Sequence, residues 1–290
     1  MRIALINSGL GLLAPAAALH RMRPEADLIL APDPDGMPWG PRTPENIAER
    51  ALLCARAAAA FQPDVLVMAC NTGSVHALEP LRAEFEPAIP VIGTVPAIKP
   101  AAAAHNHVAI WATVATTASA YQRRLIAEFG GSAEVTAVAC PGLADAVDAG
   151  DEDATAAAIA AAAARTPAGC EAIVLGCTEY ELAADLISRA VPGAVTMGSA
   201  AAVAAQALRR VPAGAARTAR VAGSGTVPTD RLAASGTVRT DRVAGSGTVR
   251  VLLSGRLAAM PLAALRYPEG RLLAPLVQVM PPAAEAIIGG

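Results

Sequence analysis

Short aliphatic runs alternate with alanine-rich stretches along most of the 290-residue chain, and this rhythm constrains its fold more than any other feature. A first series comprises RIALIN (2–7), DLILAP (27–32), DVLVMAC (64–70) and PVIGTV (90–95). A second comprises HVAIWAT (107–113), EVTAVAC (134–140), EAIVLGC (171–177) and AVTMG (194–198). Runs this short and this apolar suit strands covered on both faces, and the stretches between them have helical length. The stretch after residue 42 opens as a helix should, with Thr43 as N-cap, Pro44 at the first helical position and Glu45 in the first turn. Alternating strands and helices predict parallel sheets. Two series of like rhythm predict an α/β protein of two similar parallel-sheet domains facing each other across a cleft. Ligands of such sheets bind beyond the carboxyl ends of the strands, so the cleft is the expected site.

One region breaks the rhythm. RVAGSGTVPTD (220–230), RLAASGTVRTD (231–241) and RVAGSGTVR (242–250) repeat with a period of about eleven residues. Three short copies cannot bury a solenoid core, so a surface insertion over about 213–248 is expected, with strand character resuming at VRVLLSG (249–255). The expected first domain is 1–95 plus 207–290, interrupted by that insertion, and the second is 96–206.

Composition narrows the function. The net charge of -2 and an aromatic content of 3% argue against nucleic acid as a partner. The N-terminus lacks the pattern of a signal peptide, and no uninterrupted apolar run reaches about 20 residues, so no membrane span is expected. The 5 cysteines are odd in number and scattered, which points to free thiols in a reducing compartment, the cytoplasm.

Two of those cysteines stand in matching contexts. Cys70 ends DVLVMAC and precedes Asn71, Thr72 and Gly73; Cys177 ends EAIVLGC and precedes Thr178 and Glu179. Each lies where a buried strand gives way to a helix, and backbone N–H groups there favour a thiolate. Two opposed thiols suit removal of a proton from an α-carbon and its return from the other face. Fixed donors must then stabilise the carbanion's developing charge. No glycine-rich dinucleotide fingerprint occurs. Lys99, the only lysine, is bracketed by prolines in PAIKP, an unsuitable setting for a Schiff base. The expected route therefore uses no cofactor. His105 and His107 lack a third ligand, so no metal is expected.

At these residues the chain resembles the aspartate/glutamate racemase superfamily, and most closely bacterial glutamate racemase. INSGLG (6–11), MPWG (37–40), ACNTGS (69–74), GTVPAIKPA (93–101), ATVATTASAY (112–121), CPGLADAVDAG (140–150) and GCTEY (176–180) follow the family's order. The resemblance implies a two-domain enzyme that racemises an acidic amino acid, most simply glutamate, and supplies D-glutamate for peptidoglycan. It implies Cys70 and Cys177 as the two bases. It also implies that Asn7, Ser8, Asn71, Thr72, Thr116 and Thr178 hold the substrate, with Trp39 and Gly40 lining the cleft. A homodimer is expected.

Three positions depart from the family. Asn7 stands where aspartate is usual, Glu179 where glutamate racemases carry histidine, and Trp39 where tyrosine is usual. Asparagine cannot accept a proton near neutrality. Glu179 opposes a thiolate at Cys177, yet it can take that thiol's proton, so it joins the expected catalytic residues. These departures keep two other readings open: a racemase of aspartate or another amino acid, and a ligand-binding member without catalysis. Cys54 and Cys140 are expected to pack in the interior. Asp148 stands where the family has a glutamate near the cleft, and a solvated helix acid is the equal alternative.

Overall fold

The computed structural model describes residues 1–211 and 247–278. The strands are β1 (Arg2–Asn7), β2 (Asp27–Pro32), β3 (Val65–Met68), β4 (Val91–Gly93), β5 (His107–Ala112), β6 (Glu134–Ala139), β7 (Ala172–Leu175), β8 (Val195–Met197), β9 (Val249–Leu253) and β10 (Arg256–Ala258). The helices are α1 (Leu13–Met22), α2 (Pro44–Ala59), α3 (Asn71–His76), α4 (Leu78–Phe85), α5 (Ile98–Ala104), α6 (Val114–Ala118), α7 (Ala120–Phe129), α8 (Leu143–Ala149), α9 (Glu152–Ala163), α10 (Ala184–Ala190), α11 (Ala200–Arg210) and α12 (Pro268–Leu273). Short 3-10 segments at Leu10–Leu12 and Thr178–Ala183 follow β1 and Cys177.

Two sheets form, ordered β10-β9-β2-β1-β3-β4 and β6-β5-β7-β8. In the first, β1 lies between β2 and β3 and is parallel to both. In the second, β5 lies between β6 and β7 in the same manner. The chain thus steps to one side of each central strand and then crosses to the other. Such a reversal opens a crevice at the strand ends, where α/β proteins bind ligands. Cys70 follows β3 and Cys177 follows β7, so each cysteine comes from a strand beside its sheet's reversal point.

The central strands are apolar because both of their faces are covered. Ile3, Leu5 and Val67 share a core with Leu13, Leu19 and Val203, whereas Ala4, Ile6 and Met68 pack toward Ile47, Ala51 and Cys54. Thr43 caps α2 as expected, accepting the Asn46 N–H at 3.3 Å.

Two details differ from expectation. β10 is antiparallel to β9, joined through Ser254 and Gly255 at φ 45° and 83°. Two adjacent positive φ values make the tight hairpin turn that matches strand twist. The expected domain boundary at 206/207 falls inside α11, which contacts α1, β3 and β4 and so belongs with the first sheet's layers. The repeat lies outside the described residues, apart from Gly247 onward. Among the described residues, no helix is long and apolar enough to cross a membrane.

Candidate active site

The loops after the strand ends enclose a cavity of about 430 Å³. Cys70, Cys177 and Glu179 line it, together with Ser8, Trp39, Gly40, Asn71, Thr72 and Thr116. Asn7 and Thr178 do not. Both are buried and sit behind the wall, so their side chains brace the site and do not face its contents.

Cys70 is the N-cap of α3, and its sulfur accepts the Gly73 N–H at 3.5 Å. The Ser8 hydroxyl lies 3.9 Å from the same sulfur. Cys177 precedes the 3-10 segment, and its thiol donates to Glu179 Oε2 at 2.8 Å. The helix starts were expected to favour thiolates, and the balance runs the other way. Burial, followed by the Glu179 charge, pushes Cys70 up to about 11. Burial and Glu179 also push Cys177 well above the ordinary thiol value, and a charge on Cys70 adds to the effect. Burial and the Glu179 charge outweigh the few backbone amides at these short N-termini, since α3 has 6 residues and the segment after Cys177 is a 3-10 turn. Both groups rest as thiols. Among the described residues a carboxylate stands within hydrogen-bond distance of Cys177, whereas Cys70 has only Ser8 and the Gly73 N–H beside it.

Side-chain bonds tie the two halves of the site together. Asn7 Nδ2 donates to Ala69 O at 2.6 Å and to Thr178 Oγ1 at 3.1 Å. Asn71 Nδ2 donates to Gly176 O at 2.7 Å. Asp148 accepts the Leu10 N–H at 2.6 Å.

Trp39 is a wall and not a donor to substrate. Its ring is buried, and Nε1 donates to Asp33 Oδ2 at 3.0 Å. Asp33 also accepts from Arg50 Nε at 2.7 Å and Ser254 Oγ at 2.8 Å. The sequence reading missed Asp33; its signal was an acid one residue past β2, six before the tryptophan. Burial opposes its ionisation, but hydrogen bonds from Arg50, Trp39 and Ser254 outweigh that and hold the carboxyl below its usual range. The folded state therefore keeps the charge to lower pH than the unfolded state does. Its contribution to stability is full above about pH 4 and is lost as pH falls through the lower folded value. Asp33→Ala leaves a guanidinium and an indole N–H unpaired and is expected to cost about 3 kcal/mol in a denaturant melt at neutral pH. In acid the difference from wild type should shrink.

Asp145, Asp148 and Cys140 also line the cavity. Cys140 is buried as expected, with its thiol turned to Val138 O at 3.5 Å. Burial, with the Glu179 charge next, raises Asp148 well above the usual carboxylate value. No Arg, Lys or His side chain lines this wall among the described residues, so hydroxyls and backbone N–H groups are its donors for an anion. Among the described residues no cluster of three His, Cys, Asp or Glu could hold a metal.

Two facing α/β domains, each presenting a strand-end thiol to one cavity, define a class of acid–base isomerases. Residues 12–207 match the family described as Asp/Glu/Hydantoin racemase. The chain belongs to that family and is an amino-acid racemase of the glutamate racemase type, a type that uses no pyridoxal phosphate. It is 35% identical to glutamate racemase of Pseudomonas putida over 217 residues, 72% of this chain and 80% of that one. Identity to the Herpetosiphon aurantiacus glutamate racemase is also 35%, over 71% of this chain and 83% of that one. Among solved structures, Escherichia coli glutamate racemase with L-glutamate and an activator matches the fold at TM-score 0.70 and 24% identity, covering 91% of both chains. Glutamate racemase of Aquifex pyrophilus matches at TM-score 0.58 and 29% identity, covering 73% and 84%.

Proposed function

We propose that the protein interconverts the enantiomers of glutamate by passing the α-proton between two thiols, Cys70 and Cys177. The observation that carries this reading is that both sulfurs face one cavity from the reversal points of two separate sheets. The substrate's α-carbon would sit between them. As the α-proton moves to Cys177, that thiol's own proton moves to Glu179 Oε2, and Cys70 protonates the carbanion from the opposite side. Asn71, Thr72, Thr116 and Ser8 supply the polar groups that hold carboxylates and amine. The D-glutamate formed would serve peptidoglycan, in the cytoplasm, with the protein acting as a homodimer and its domains meeting near residues 95 and 199.

Either pure enantiomer of glutamate incubated in deuterium oxide should gain α-deuterium and yield its mirror image. No exchange with glutamate or any other amino acid would sink the reading. A second reading, a substrate with a different side chain, draws on the carboxylates of Asp145, Asp148 and Glu179 and the lack of a cationic side chain at the wall. A panel of amino acids discriminates, since glutamate turned over far faster than the rest rejects it. Light scattering tests the dimer, and rescue of a D-glutamate auxotroph tests the supply role.

A further inference from the structure

The amide of Asn7 has only one possible orientation. Its two backbone partners are an acceptor, Ala69 O, 2.6 Å from Nδ2, and a donor, the Gly9 N–H, 3.3 Å from Oδ1. Reversing the amide would set like against like at both. That orientation dictates the hydroxyl protons on either side. Ser8 Oγ lies 3.1 Å from Oδ1 and must donate to it, so its lone pairs are what it offers Cys70, 3.9 Å away. Thr178 Oγ1 accepts from Nδ2, so its own proton goes to Glu179 Oε2 at 3.3 Å. One chain of bonds thus runs behind the cavity wall from Cys70 to Glu179, with every bond in it pointing away from Cys70, and Cys177 donates to the same Glu179 oxygen from the other end.

We propose that Asn7 is a positioning residue that makes the two faces of the site unequal, holding Cys70 as the proton donor and Cys177 with Glu179 as the proton acceptor of the resting enzyme. This rests on the two-thiol reading above. The proton inventory is explicit. In the forward direction the Cα–H bond breaks and an S–H bond forms on Cys177, whose former proton becomes an O–H on Glu179. The Cys70 S–H then breaks and a new Cα–H forms on the opposite face. The enzyme is left with a Cys70 thiolate and a neutral Glu179, its total charge unchanged. That form is the costly one. The Cys70 side has Ser8 and an amide but no carboxylate, whereas Asp148 and Tyr180 lie close enough to feel the Glu179 charge, with Asp145 and Cys140 beyond them. Return of the Glu179 proton to Cys70, through water, restores the resting arrangement, in which the Cys177 thiol donates to Glu179 Oε2. The opposite direction of racemisation must start from this minor form.

The enantiomers have equal free energy, so kcat/KM must be the same in both directions. The inequality therefore shows in kcat and KM separately. The enantiomer whose α-hydrogen faces Cys70 should have both values lower, because uphill regeneration of the thiolate form limits its turnover. The expected ratio of the two kcat values in wild type is on the order of tenfold, the low end of what a positioned base contributes. Asn7→Asp puts a carboxylate behind Ser8, a counterpart to Glu179, and should bring the ratio toward one. Glu179→Gln removes the acceptor on the other side and should also bring the ratio toward one, with the larger kcat falling most. It keeps the proposal testable if the Asn7→Asp variant does not fold. Equal kcat values in wild type overturn the proposal while leaving two-thiol racemisation standing. So does a loss in Asn7→Asp that scales both kcat values alike, as a purely structural role would produce. Absence of any interconversion by wild type overturns the functional reading instead.

Discussion

Cys70→Ser and Cys177→Ser should each lower interconversion of glutamate enantiomers by about a thousandfold or more. A serine hydroxyl is a far weaker acid and far poorer base than a thiol, and inversion needs both faces within one turnover. Exchange without inversion needs only one face, which gives the two variants separate signatures. With Cys177 intact, one enantiomer should still gain α-deuterium slowly while keeping its configuration; with Cys70 intact, the other should. Proton NMR and chiral chromatography on the same samples read both quantities. The fold should not suffer. Cys70 caps α3 through its sulfur and the Gly73 N–H, and serine is a better N-cap than cysteine. An unchanged or higher melting temperature in Cys70→Ser with lost inversion therefore assigns the loss to chemistry. Near wild-type racemisation by either variant would refute the two-base scheme.

The expected strands match β1 to β9 within a few residues, because strands buried on both faces leave continuous apolar runs bounded by turn residues. β10 was illegible for the opposite reason. Arg256, Leu257 and Ala258 form an edge strand, exposed or half-buried, with no apolar pattern to mark it. At the site, the motifs located the strand ends and so brought Cys70, Cys177, Asn71 and Glu179 together. What they could not convey is which way a side chain points. Asn7 and Thr178 belong to the same motifs as Ser8 and Cys177, yet they face inward, away from the cavity. The N–H of Trp39 reads as a free donor until Asp33, Arg50 and Ser254 are seen around it. These partners come from β2's end, α2 and the β9–β10 turn, and only tertiary structure makes them neighbours. The resting state of the thiols was hidden in the same manner. A strand–helix junction suggests a dipole, but burial of both thiols, with the Glu179 carboxylate beside Cys177, decides the balance.

Gly11→Ala should abolish most activity without touching a reacting atom. Gly11 lies in the buried segment Leu10–Leu12, and a Cβ there would stand 2.3 Å from Thr178 Oγ1, 2.7 Å from Glu179 Oε1 and 2.8 Å from Asn7 Nδ2. None of these atoms can retreat easily. Both Nδ2 protons of Asn7 are engaged, by Ala69 and Thr178. Thr178 is short and bonded on both sides, and Glu179 is held by Cys177 and Thr178. The added methyl must therefore push the Thr178–Ala183 segment away from β1, which parts the two sulfurs across the cavity. A displacement of about 1 Å at a reacting centre costs on the order of a hundredfold in rate. Overpacking of this kind also costs about 1–3 kcal/mol of stability, a fall of a few degrees in melting temperature. Gly9→Ala is the control. The three atoms nearest a Cβ at Gly9 all belong to the Asp148 carboxyl, at 2.3–2.5 Å, the end of a half-buried side chain that can swing aside with the loss of one bond to Leu10. Its activity should fall far less. Kinetics and thermal melts of the two variants compare the sites directly. Wild-type rates in Gly11→Ala would show that the contact between Asn7, Thr178 and Glu179 does not govern the spacing of the thiols.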